Sequence, residues 1–326
     1  MDNTKLNIRH GGDIDLAIKK YGGLREIWID LSTGINRTSY PWQERVKVHL
    51  RDLPGSKLLM SLEEAASRAY KIAEGTGTVA SSGAQQIINL LPLYLKKYTS
   101  VAILGPTYNE YERAFKSSNV RTKMVSEISD LYCSDIAIIV NPNNPTGKEI
   151  AEEALDELSK KVRILIIDES FKMFSSRKIQ KHDNVIQINS LGKFFGLAGL
   201  RLGFVSGPSD FIKSVRNMLG PWPISSLAAE IGLVALNDKI WISEMEKILL
   251  AASNALHEVC NSKNWKLVGK TNLFHTYAIS NCLEVEEQFA AHGIWVRTFD
   301  YSETWVRLGI PTSECELTRV KQALNQ

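Results

Sequence analysis

Along the chain, short apolar runs alternate with stretches in which apolar positions recur every three or four residues. Five runs stand out: Val101–Leu104, Ile136–Val140, Ile164–Ile167, Val185–Ile188 and Leu202–Val205. Each is nearly continuous in apolar residues and bounded by Gly, Pro, Asn or Asp, the pattern of a strand buried on both faces of a sheet. Amphipathic stretches such as Glu149–Lys160 lie between some of them. Strands alternating with helices predict an α/β fold with a large domain built on a mostly parallel central sheet covered by helices.

Farther along, residues 224–261 hold no Pro and no Gly except Gly232, which predicts one or two long helices. From Trp265 the signals mix. The strand-like LFHTYAI is followed by a helix near Glu284–His292, the strands IWVRTF and TWVRLGI, and a closing helix. That is a smaller α+β C-terminal domain. Residues 1–40 hold few apolar runs and read as an N-terminal arm; the next boundary is expected near Pro221–Pro223 or within the following helix, and the division is set at 1–40, 41–222 and 223–326.

Composition adds exclusions. With 44% hydrophobic and 23% charged residues, the chain sits at the globular average, which excludes a disordered tail, a collagenous repeat and a disulfide scaffold. A net charge of +3 without a basic cluster argues against a nucleic-acid partner. Cys133, Cys260, Cys282 and Cys315 form no CxxC pair and no histidines sit at metal-finger spacing, so no metal site is expected. The polar N-terminus lacks the apolar core of a signal peptide, and no apolar run approaches the ~20 residues of a membrane span. The expected location is the reducing cytoplasm.

The chemistry follows the strands. After Val101–Leu104 comes Gly105-Pro106-Thr107-Tyr108; after Ile136–Val140, Asn141-Pro142-Asn143-Asn144-Pro145-Thr146-Gly147. Asp168-Glu169-Ser170 and Asn189-Ser190-Leu191-Gly192-Lys193 follow the next two. Ligands of open α/β sheets bind beyond the carboxyl ends of the strands, so Tyr108, Asn144, Asp168 and Lys193 are expected to converge. Singly each has an ordinary explanation, as a helix cap, a solvated lysine, a turn or a packed ring. Together they match the needs of pyridoxal 5′-phosphate: an amine for the Schiff base, a carboxylate for the pyridinium nitrogen, a ring to stack, an amide for the ring oxygen. The segment Ser81-Ser82-Gly83-Ala84-Gln85 opens a helix patterned by Ile87, Ile88, Leu91 and Leu95, a place for the cofactor phosphate, with Ser190 and Arg201 as further donors.

At this point the chain resembles the fold-type I pyridoxal-phosphate enzymes, the aspartate aminotransferase superfamily. The resemblance rests on NNPTG at 143–147, DES at 168–170, SLGK at 190–193 and GLRLGF at 199–204, in family order, and extends to Val306-Arg307-Leu308-Gly309. It implies that Lys193 carries the cofactor, Asp168 pairs with its ring nitrogen, Asn144 reaches the ring oxygen, Tyr108 stacks, and Arg307 holds the substrate carboxylate. It also implies a homodimer, with the active site near the subunit interface and the arm packed on the small domain and the partner subunit.

Three other motifs fail on context. Gly75–Ala80 fits GxGxxA but follows a helical pattern; Ser190–Lys193 fits SxxK without SDN or KTG; Gly269-Lys270-Thr271 lacks the first Gly of a P-loop.

Within the superfamily, His10-Gly11-Gly12-Asp13 and Ile29-Asp30-Leu31-Ser32-Thr33-Gly34-Ile35-Asn36 resemble the threonine-phosphate decarboxylases of cobalamin biosynthesis, relatives of the histidinol-phosphate aminotransferases. Phe171 points the same way, since aminotransferases of this superfamily usually carry a tyrosine there. The expected reaction is decarboxylation of L-threonine O-3-phosphate to (R)-1-aminopropan-2-yl phosphate. The alternatives are an aminotransferase of the histidinol-phosphate type and a degenerate binding or regulatory paralogue. Expected substrate contacts are His10, Gly34, Asn36, Asn144, Arg297 and Arg307. One departure is Leu53-Pro54, where the family commonly has Tyr-Pro; leucine cannot reach a neighbouring subunit's cofactor phosphate.

Overall fold

A computed structural model describes residues 10–47, 50–118, 120–177 and 183–325. The first nine residues of the expected arm lie outside the described residues. Two compact units emerge, Thr38–Glu246 and the pair of segments Met1–Arg37 and Lys247–Gln326.

The larger unit is built on a seven-stranded sheet. Its order from edge to edge is Gly77–Ser81, Gly203–Gly207, Val185–Ser190, Ile164–Asp168, Ile136–Val140, Ser100–Leu104, Arg121–Val125. Every pairing is parallel except the two made by Gly203–Gly207. Burial on both faces explains the continuous apolar runs. Ile103, Ile138, Ile166 and Ile188 pack on one face with Ile87, Ile88 and Leu91 of the helix Ala84–Tyr94. Ala137, Ile139, Leu165 and Ile167 pack on the other with Leu155 and Leu158 of the helix Glu152–Ser159.

The five expected strands are present, and the structure adds Gly77–Ser81 and Arg121–Val125. Both are edge strands. Gly77–Ser81 is made of small residues, and Arg121–Val125 alternates exposed and half-buried positions before Val125, so neither gives a continuous apolar signal.

The smaller unit carries an antiparallel sheet in the order Arg297–Phe299, Ser302–Gly309, Phe274–Ala278, Lys266–Lys270. Ile29–Asp30 runs parallel to Ile294–Trp295, which ties the start of the chain into this unit. Gly11 and Gly309 have a steric reason to be glycine: a Cβ on either would lie 2.4 Å from a backbone oxygen, of Ser32 and Thr33 respectively.

The units divide at Glu246/Lys247, inside the helical stretch 224–261 and not at the prolines 221–223. The helix Ser226–Asn237 belongs to the larger unit, where Gly232 lets the backbone approach Leu202 and Leu62. The following helix, Lys239–Asn261, has no break at which a boundary could be read.

Candidate active site

Leu104, Val140, Asp168 and Ser190 end four consecutive parallel strands, so the segments that follow emerge side by side at the carboxyl ends of the strands. A cavity opens there. Ala84, Gln85, Tyr108, Asn144, Asp168, Ser190, Lys193 and Arg201 line it, with Ile88, Val140, Ser170 and Phe171.

Asp168 is the last residue of its strand and only 4% exposed. Its Oδ1 accepts the Ser170 N–H at 2.9 Å and its Oδ2 accepts the Tyr111 hydroxyl at 2.8 Å. Burial pushes this carboxyl above the usual carboxylate range, while Ser170, Tyr111 and the charge of Lys193 pull it back. Lys193 sits in the short helix Leu191–Phe194, its Nζ 5.4 Å from the centre of the Phe171 ring. Phe194 and Phe195, directly after it, pack edge-on against Phe174, and Trp241 stacks on Phe195. That aromatic cluster fixes the backbone from which the lysine projects.

Tyr108 donates to Gln85 Oε1 at 3.0 Å, and the amide nitrogen of Gln85 donates to Glu110 at 3.1 Å, which orients both side chains. Burial pushes the Tyr108 hydroxyl up to about 12, so it stays protonated. The loop that presents Asn144 is held by its neighbours. Asn143 donates to the Pro106 carbonyl and the Thr146 hydroxyl, and Asn141 exchanges two hydrogen bonds with the backbone of Ile150.

At the opening of the helix Ala84–Tyr94, Gly83 adopts φ 78° and ψ 162°. A Cβ there would lie 2.6 Å from Nη2 of Arg201, so the guanidinium rests against the helix N-terminus. The first amides of a helix have no intrahelical acceptor, and a guanidinium beside them makes an anion cradle.

These residues fit pyridoxal phosphate. An amine and a buried carboxylate share the cavity, and the cradle at Gly83 and Arg201 has the chemistry of a phosphate site. No group of three or more His, Cys, Asp or Glu suited to a metal occurs among the described residues.

In the smaller unit, Arg307 stands directly across the strands from Arg297. Arg307 is 7% exposed and donates to the Ser32 carbonyl at 2.6 Å. Burial and the charge of Arg297 lower its guanidinium to about 10, so it remains cationic at neutral pH. Gly34 and Asn36 are buried in the same unit, and His10 is exposed. Leu53, in the larger unit, is 64% exposed.

Tyr111 was not foreseen. It falls three residues after Tyr108, and its surroundings read as an apolar helix face; only the sheet order brings its hydroxyl to Asp168.

The aminotransferase class I and II family model matches residues 48–324. The chain is 31% identical to the threonine-phosphate decarboxylase of a Sinorhizobium species and 30% identical to that of Pseudomonas aeruginosa, each over 97% of both chains. Among solved structures it is similar to the histidinol-phosphate aminotransferase of Sinorhizobium meliloti in complex with pyridoxal-5′-phosphate. The TM-score is 0.79 at 13% identity, covering 98% of this chain and 94% of that one.

Proposed function

The chain belongs to the aminotransferase class I and II family, and we propose that it is a pyridoxal-phosphate-dependent decarboxylase of L-threonine O-3-phosphate, acting in cobalamin biosynthesis. The observation that carries the choice of reaction is the likeness to threonine-phosphate decarboxylases along 97% of both chains. Phe171 supports it, because it offers the ring oxygen no hydroxyl of the kind an aminotransferase tyrosine supplies.

In this reading Lys193 anchors the cofactor and Asp168 supplies the negative charge that matches a protonated ring nitrogen. Tyr108 stacks, Asn144 donates to the ring oxygen, and Gly83, Ala84, Gln85, Ser190 and Arg201 form the phosphate cradle. When bound, pyridoxal phosphate supplies an aldehyde that takes the substrate amine and a ring that accepts the electron pair of the broken bond. The Cα–carboxylate bond breaks, carbon dioxide leaves, and a proton is added at Cα. In the same reading Arg307 holds the substrate carboxylate, and His10, Gly34, Asn36, Asn144 and Arg297 serve as further substrate contacts. The charge of Asp168 is fixed in place before the bond breaks, so no reorganisation is needed as the electron pair moves.

The reading includes a cytoplasmic homodimer with each site near the subunit boundary. The exposed Leu53 and Trp222, 64% and 57% accessible, are apolar surface that a second copy would cover. Among the described residues no helix is long and apolar enough to cross a membrane.

Sequence similarity to a histidinol-phosphate aminotransferase of Campylobacter jejuni, 24% identical over 95% of this chain, supports amino transfer as the second reading. There the Cα–H bond breaks instead and Lys193 moves the proton. The test is direct. Carbon dioxide release from O-phosphothreonine without 2-oxoglutarate supports decarboxylation; glutamate-dependent conversion of imidazole-acetol phosphate moves the assignment to the aminotransferase. Lys193→Ala should abolish the yellow colour of the purified protein, and a wild type that stays colourless with added cofactor refutes both.

A further inference from the structure

We propose that Tyr111 is a positioning residue, whose buried hydroxyl keeps the Asp168 carboxylate ionised and fixed in orientation at the cavity wall. The inference deepens the pyridoxal-phosphate reading and rests on it.

Three observations carry it. Tyr111 is 0% exposed and Asp168 4% exposed, and the 2.8 Å bond between them lies entirely inside the protein. The bond is therefore poorly screened by solvent, and its loss leaves a buried acceptor with one donor fewer. Secondly, Tyr111 belongs to the helix Glu110–Lys116, and its ring meets Tyr108 edge-on with centroids 6.5 Å apart. One short segment thus supplies both the ring that lines the cavity and the donor behind its carboxylate. Thirdly, the hydroxyl has one available role. Burial and the negative charge of Asp168 hold it well above the ordinary tyrosine value, so it donates and does not serve as a base.

The groups that face Asp168 set its charge in opposite directions. Burial favours the neutral acid, while Ser170, Tyr111 and Lys193 favour the anion. The Ser170 N–H donates to Oδ1 and the Tyr111 hydroxyl to Oδ2. Without Tyr111, more of the burden falls on whatever cation enters the cavity.

The test uses apoprotein and two probes: pyridoxal phosphate, and the carbocyclic analogue in which C–H replaces the ring nitrogen. Tyr111→Phe preserves shape and removes the donor. Its affinity for pyridoxal phosphate should fall by about tenfold or more, with no comparable fall for the analogue, which offers Asp168 no proton. Equal losses for both probes, or no loss for either, overturn the role of Tyr111. A wild type that binds no pyridoxal phosphate refutes the underlying reading instead. If the phenylalanine variant does not fold, 3-fluorotyrosine at position 111 reverses the sign: the stronger donor should tighten pyridoxal phosphate selectively, and unchanged selectivity overturns the proposal.

Discussion

Gly83→Ala probes the point where backbone geometry and cofactor chemistry meet. At φ 78° and ψ 162°, Gly83 occupies a region essentially restricted to glycine, which costs another residue about 1–3 kcal/mol. The added methyl would also lie 2.6 Å from Nη2 of Arg201, closer than real Cβ contacts come, so the guanidinium or the helix start must move. Two effects follow. The apoprotein should lose about 1–3 kcal/mol of unfolding free energy in urea. Displacement of the guanidinium should also weaken phosphate recognition by about tenfold, the worth of a charge-assisted hydrogen bond. Titrating wild type and variant with pyridoxal phosphate and with pyridoxal, which has no phosphate, separates strain from recognition: the variant's deficit should be large for the first and small for the second. A variant within ~0.5 kcal/mol of wild type that keeps the same preference for the phosphorylated form would refute the cradle.

Two further substitutions test the interior. Arg177→Met removes one partner of a buried cluster in which Arg177 and Lys172 reach Glu169 at 2.8 and 2.9 Å. It should cost about 3–5 kcal/mol in urea unfolding, and a loss under ~1 kcal/mol would show the cluster to be dispensable. His275 lies between Ser253 and Tyr277, at 2.7 and 2.9 Å, and burial lowers its imidazole to about 3, with help from Lys270 and His257. The unfolded chain, with the ordinary value near 6.5, therefore binds a proton that the folded chain does not between about pH 6.5 and 3. Its contribution is complete above that window and is lost as pH falls, by up to ~1.4 kcal/mol per pH unit. His275→Gln should flatten the decline of stability between pH 7 and 4; parallel curves for the two proteins would refute this.

Much of the cavity was legible because its residues occupy one recurring place in the pattern. Tyr108, Asn144, Asp168 and Lys193 each follow an apolar run, and a parallel sheet delivers the carboxyl ends of its strands to one edge. The edge strands were not legible, since Arg121–Val125 and Lys266–Lys270 are half solvated and give no continuous apolar signal. The break between units was legible only as near Pro221–Pro223 or within the helical stretch that follows, because the helix Lys239–Asn261 runs through it without Gly or Pro.

Periodicity and strand-end chemistry by themselves determined the α/β class, the order of the motifs and the set of groups able to serve a phosphorylated aldehyde cofactor. These are local properties, written in hydrophobic spacing and in residues a few positions apart. Only the tertiary structure decided that Tyr111 bonds Asp168, that Arg201 lies against Gly83 and that Ser226–Asn237 belongs to the larger unit. Such contacts join residues far apart in sequence, 57 positions in the first case, and they depend on which strands become neighbours, a choice made by the packing of the whole sheet.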